Sequence, residues 1–168
     1  APRIEEVVRK HVLKPRDATS LLHDVCDMRA RIAKQFPTSN PWALKHMRGG
    51  MVDLDFIAQY LVLRDAPTNP DLWHRSARQV FEAAHSAKRL DDSITLPLIA
   101  AKKYLSDLMS LLRLSATGGL ITDDAPMGLK TLLTEGMRDE SFEKLKAQVL
   151  HHEAIVSAIY ERMAQGEL

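Results

Sequence analysis

Met51-Val52-Asp53-Leu54-Asp55-Phe56-Ile57-Ala58-Gln59-Tyr60-Leu61-Val62-Leu63 is apolar on most of its sides. A surface helix keeps one wet face, so this segment reads as a helix buried among others. Gly49-Gly50 precedes it, and Pro67 and Pro70 end it. Upstream, Asp17 is a plausible N-cap for a helix whose apolar stripe is Leu21, Val25, Met28, Ile32 and Phe36. Pro37-Thr38-Ser39-Asn40-Pro41 breaks that helix, and the polar stretch Leu44-Lys45-His46-Met47-Arg48 leads to the glycines. Pro2 suits the first turn of a short helix that stops before Pro15.

Downstream, Trp73, Ala77, Val80, Phe81 and Ala84 mark a further helix. Asp92 or Ser93 caps a long one, striped by Ile94, Leu98, Ala101, Leu105, Leu108 and Leu112, with Pro97 in its early turns and Gly118-Gly119 closing it. Asp124 and Pro126 start a short helix that Gly136 terminates. Ser141 begins the last, striped by Phe142, Leu145, Val149, Val156, Ile159 and Met163. The expected fold is all-α: a bundle of about seven helices forming a single domain over residues 1–168, without internal repeats.

Composition agrees with that class. The 168 residues are 45% hydrophobic, 27% charged and only 5% aromatic, with helix-favouring residues dominant. Lys plus Arg number 23 against 22 Asp plus Glu, so no basic excess points to nucleic acid. No apolar run approaches the roughly 18 residues of a membrane span. The start, Ala1-Pro2-Arg3-Ile4-Glu5-Glu6, lacks an apolar signal core, so no secretory signal is expected. It also lacks Met, as after Met removal or excision from a longer chain. The one cysteine, Cys26, excludes an intrachain disulfide and suggests a reducing compartment.

Candidate chemistry is sparse. His23 and Cys26 share a predicted helix face, but no second pair of comparable spacing completes a metal site. His151-His152-Glu153 point apart on a helix. Cys26 reads as a small core residue. Gly49-Gly50 before a helix is the setting of an anion site, yet no third glycine and no Lys-Ser or Lys-Thr follows, and Asp53 and Asp55 repel a phosphate. The glycines instead suit a tight turn or the close approach of another backbone. Asp53 and Asp55 have the spacing of a magnesium pair on a strand; on a helix they diverge by about 200° and cannot share one ion, whereas Asp55 and Gln59 share a face. Asp53 then reads as an N-cap and Asp55 as a first-turn acid. Arg29-Ala30-Arg31 and Lys34 form a basic edge. Lys45, Arg48, Asp53 and Asp55 are too many charges to bury unpaired, so a polar patch is expected at the surface, beside apolar area of the 51–63 helix that another domain covers.

The segment from Leu44 to Leu63 resembles the signature of the glutamine synthetase adenylyltransferases: a Lys (Lys45), a Gly-Gly pair (Gly49, Gly50), Asp53, a second acid at 55, Phe56 and Gln59. Pro15-Arg16-Asp17 through Met28-Arg29 is similar to the stretch that precedes it, and Tyr60-Leu61-Val62-Leu63 looks more like the adenylylating copy. The second acid is usually Glu and here is Asp55, one methylene shorter. The Gly-Ser-x-x-Asp-x-Asp motif of the catalytic strand is absent from all 168 residues.

The resemblance implies a helical domain associated with a nucleotidyltransferase domain, from a large bifunctional cytoplasmic enzyme. One half of such an enzyme moves AMP from ATP to a tyrosine of glutamine synthetase, and the other removes it by phosphorolysis, with ATP and magnesium as cofactors of the full-length protein. It implies no catalytic or metal-binding carboxylate in this segment. Arg29, Lys45 and Arg48 are expected to approach nucleotide phosphates or catalytic acids across an interface, with Gly49, Gly50, Asp53, Asp55 and Gln59 shaping that interface. The implied partners are glutamine synthetase, the nitrogen-signalling PII protein and the transferase domain. The alternative is a regulatory interaction module that binds PII or the synthetase away from the active site; a free-standing bundle is a third.

Overall fold

A computed structural model describes residues 2–73, 76–115 and 123–168, with the side chains of Pro2 and Arg3 left aside. Among the described residues, seven α-helices and one short 3-10 helix run in the order α1 (Pro2–Val12), α2 (Ala18–Gln35), α3 (Met51–Asp65), the 3-10 turn (Pro70–Leu72), α4 (Ala77–Ser86), α5 (Asp92–Leu114), α6 (Met127–Met137) and α7 (Phe142–Ala164). No strand occurs among the described residues.

The apolar 51–63 stretch is the central element. α3 packs against α2, α4, α5, α7 and the 3-10 turn. Leu54, Ile57 and Leu61 are wholly buried, and they meet a core built from Leu72, Phe81, Leu98, Leu105, Leu108, Leu133, Leu145, Val149 and Met163. Burial at this scale, at about 25 cal/mol per Å² of apolar surface, is what holds these helices together. Within this chain α3 is covered on most of its sides but not all, since Gln59 stays exposed and Met51, Val52, Phe56 and Leu63 are only half-buried.

Boundaries follow local chemistry. Asp17 accepts the Ser20 N–H at 2.8 Å and Ser141 accepts the Lys144 N–H at 3.2 Å, each as expected of an N-cap. α5 is capped one residue earlier than predicted, by Asp91, whose carboxylate accepts the Ile94 N–H at 3.1 Å. Trp73 lies outside α4, because the 3-10 turn intervenes. The buried face of α2 is Leu21, Val25 and Arg29, whereas Met28 and Phe36 of the predicted stripe are about half exposed. The predicted stop at Gly118-Gly119 lies outside the described residues.

Gly136 does not terminate α6. It sits inside the helix where a Cβ would stand 2.7 Å from a Leu111 methyl on α5. The helix ends just after Met137, at Arg138, which takes the left-handed conformation (φ 60°) usually left to glycine. Arg138→Gly should therefore raise the unfolding free energy by about 0.5–1 kcal/mol, read as a shift of the urea midpoint without a change of slope; an unchanged or lower midpoint contradicts the strain.

Candidate functional site

The turn of residues 40–50 is set by its anchors. Trp42 and Leu44 are buried, and the Trp42 ring stacks on Phe142 at 4.8 Å. Folding back, the turn gives its carbonyls to the start of α3: Met51 N–H to Leu44 O at 2.8 Å and Val52 N–H to Lys45 O at 3.1 Å. These are the donors that an anion at a helix N-terminus needs, and here they are already taken.

Gly49 has φ +79°, and a Cβ there would lie 1.8 Å from the Glu153 carbonyl oxygen of α7. Gly50 is the N-cap of α3, and a Cβ on it would lie 2.4 Å from the Leu44 carbonyl oxygen. Both glycines thus serve close backbone approach, as expected, but the approaching backbones belong to this same chain.

Asp53 is the third residue of α3, not its N-cap, and is fully buried. Its Oδ1 accepts a hydrogen bond from Arg29 Nε, and its Oδ2 accepts the Gly49 N–H at 2.5 Å. Arg29 is 3% exposed, so it is part of the interior and not of a solvated basic edge; Arg31 and Lys34 do lie on the surface. One carboxylate therefore ties α2, the glycine turn and α3 together. Above it, Arg48 Nη1 lies 3.9 Å from Asp53 Oδ1, Nη2 lies 3.8 Å from Glu161 Oε1, and the guanidinium sits 4.5 Å over the Tyr160 ring. Burial pushes the Tyr160 phenol up, aided by Cys26 and Asp53. Burial, with Lys45 and Arg29 nearby, pushes the His46 imidazole down, so it stays neutral.

The predicted site residues thus fall into two groups. Arg29, Gly49, Gly50 and Asp53 are interior, and beside them Lys45 and Arg48 reach the surface. The expected polar patch is consequently reduced to those two cations. Asp55 and Gln59 lie on another side of α3: Asp55 Oδ1 accepts from Lys102 Nζ of α5 at 2.9 Å, and both line a 460 Å³ cleft with Val12, Trp73 and Val80. Asp53 and Asp55 point apart and do not fit a common ion. No group of three His, Cys, Asp or Glu side chains among the described residues is arranged to hold a metal.

Sequence reasoning missed Glu153. It is 4% exposed and neither carboxyl oxygen has a hydrogen-bond partner among the described residues. Burial alone pushes its pKa to about 8. The signal was present: 153 is the empty i+4 slot after Val149 in the stripe of α7.

The chain is 34% identical over 165 residues to the bifunctional glutamine synthetase adenylyltransferase/adenylyl-removing enzyme of Rhodopseudomonas palustris (strain TIE-1), covering 98% of this chain and 17% of that protein. Its counterpart in strain HaA2 is 38% identical over 170 residues, and that of Bradyrhizobium sp. (strain BTAi1 / ATCC BAA-1182) 32% over 163. The chain is homologous to one segment of these adenylyltransferases. It spans about one sixth of their length. No family model matches it. The likeness to the adenylyltransferases runs through all seven helices, well beyond the 44–63 segment.

Two outcomes check this description. Asp53→Ala leaves Arg29 buried without a counter-charge and the Gly49 N–H without an acceptor, and should cost about 3–5 kcal/mol; Arg29→Met combined with Asp53→Leu should recover most of it in urea unfolding, and additive losses contradict the pairing. For Glu153, a carboxyl whose folded pKa is raised from the ordinary 4.5 to about 8 stabilises when protonated and loses that contribution as pH rises between those values. The thermal midpoint of Glu153→Gln should match the native chain near pH 4 and exceed it increasingly up to about pH 8; parallel pH curves contradict a buried neutral acid.

Proposed function

We propose that the chain is the helical domain following a nucleotidyltransferase domain in a cytoplasmic glutamine synthetase adenylyltransferase/adenylyl-removing enzyme. In adenylylation a tyrosine oxygen of the synthetase attacks the α-phosphorus of ATP, the bond to pyrophosphate breaks, and the phenolic proton passes to a base. In removal, inorganic phosphate attacks the same phosphorus, giving ADP and the free tyrosine. Bound magnesium would supply charge neutralisation at the phosphates. Asp53 and Asp55 do not fit that ion: Asp53 is committed to Arg29 and Gly49, and Asp55 faces Lys102. In this reading the metal-binding acids and the nucleotide belong to the transferase domain.

The observation that carries the reading is the placement of Lys45 and Arg48. Both stand at the surface on a turn whose backbone is pinned from beneath by Asp53 and from the side by α7. Cations on a rigid support present charge to a phosphate or a neighbouring acid without reorganisation. Glutamine synthetase is the substrate in this reading, with PII as a regulatory partner of the full-length enzyme.

Two experiments test it. Incubated with glutamine synthetase, magnesium and labelled ATP, the chain alone should leave the synthetase unlabelled, and label above a no-protein control overturns the assignment. In the intact enzyme, Lys45→Ala with Arg48→Ala should lower kcat/KM for AMP transfer at least about tenfold with an unchanged thermal midpoint. A normal rate in that variant, together with capture of PII by this chain alone, would favour the interaction module.

A further inference from the structure

Arg48 is the half-exposed guanidinium of the glycine turn, and what holds it is a ring. Its guanidinium carbon stands 4.5 Å from the centre of the Tyr160 ring, within the range of a cation–π contact. The two nearby carboxylates hold it less. Asp53 Oδ1 lies 3.9 Å from Nη1 and already accepts from Arg29. Glu161 Oε1 lies 3.8 Å from Nη2, and its side chain is 61% exposed, so water screens the pair. Neither distance is that of a hydrogen bond.

The ring is itself fixed. Tyr160 belongs to α7, is 3% exposed and packs in the common core. Its hydroxyl is hydrogen-bonded to the Cys26 side chain of α2. The support under Arg48 thus joins two helices to the turn. A ring attracts a guanidinium through its face and takes none of its five N–H groups. A carboxylate at hydrogen-bond distance would occupy those donors and offset their charge. Tyr160 confines the cation and leaves its donors for a partner. Lys45, the other surface cation of the turn, stands over no ring among the described residues.

We infer that Tyr160 is a positioning residue for AMP transfer, its ring holding the Arg48 guanidinium in place while leaving the N–H groups free. This rests on the role proposed for Arg48, and the experiment separates the two. In the intact enzyme, measure AMP transfer for Arg48→Ala, Tyr160→Met, Tyr160→Phe, and Arg48→Ala combined with Tyr160→Met. Tyr160→Met keeps an apolar side chain in the core and removes the π face. It should lower kcat/KM about threefold to tenfold, the loss of one cation–π contact expressed as a rate. Tyr160→Phe keeps the face and should recover most of that loss. In the Arg48→Ala background Tyr160→Met should cost nothing further, a coupling that a merely structural role would not show. A slow Arg48→Ala enzyme beside a normal Tyr160→Met enzyme, or additive losses, overturns the inference and leaves the role of Arg48 standing. A normal rate in Arg48→Ala overturns both the inference and that role. Proton NMR of the chain reads the contact without activity. The ring current should shift the Arg48 side-chain protons upfield in the native chain and in Tyr160→Phe, but not in Tyr160→Met. Unshifted Arg48 protons in the native chain overturn the inference, even should Tyr160→Met fail to fold.

Discussion

The carboxylate of Asp53 is where three parts of this chain meet. Arg29 comes from one helix, the Gly49 N–H from the turn, and the acid itself from the first turn of the central helix. A charge taken out of water is expensive, and it is retained only with its counter-charge and its hydrogen bonds complete. Both oxygens are used here, so the arrangement has little latitude. Move α2 along its axis, flip the Gly49 peptide, or shift α3 by one residue, and a buried charge loses its partner. Such a pair contributes modestly to net stability, yet it penalises every other register. Gly49 is bound by a second constraint from the opposite side, where the Glu153 carbonyl leaves no room for a side chain. The turn is therefore clamped between an acid below and a helix backbone beside it.

Glu153 enters through the same clamp. Position 153 of α7 must come close to the glycine turn, and its side chain is then buried with no hydrogen-bond partner among the described residues. An aliphatic residue in that slot would continue the stripe of Val149 and Val156. The cost of the acid is met by holding it protonated, which its raised pKa permits near neutrality. A buried acid whose pKa is raised by burial makes the contact between α7 and the turn sensitive to pH.

Much of the fold was legible because it rests on short-range rules. Apolar spacing placed the helices, Asp17 and Ser141 announced their caps, and the all-apolar run at 51–63 marked the central helix. The misread points are those where tertiary contact overrides local signal. Gly136 looked like a stop but makes room for Leu111, and Arg138 accepts the strained conformation instead. Arg29 looked like part of a wet edge because Arg31 and Lys34 flank it. Nothing within α2 reveals that a buried acid 24 residues later will turn Arg29 inward. The site was legible as a set of residues but not as a geometry: the spacing correctly separated Asp53 from Asp55, while the inward or outward fate of each charge depended on packing.

That division bears on what the 44–63 pattern is for. If every polar residue in it faced solvent, the pattern would read as one recognition surface. Instead the buried members fix a turn, and the exposed members, Lys45 and Arg48, are carried on it. Precision at a phosphate demands a support that does not move, because a cation displaced by an ångström loses much of its worth. A glycine turn is by itself the most pliable of supports. Here its freedom is removed by the Asp53 hydrogen bond on one side and by the α7 backbone on the other. Under the proposed role, the buried ion pair and the surface cations are parts of one device, in which the first holds the second still.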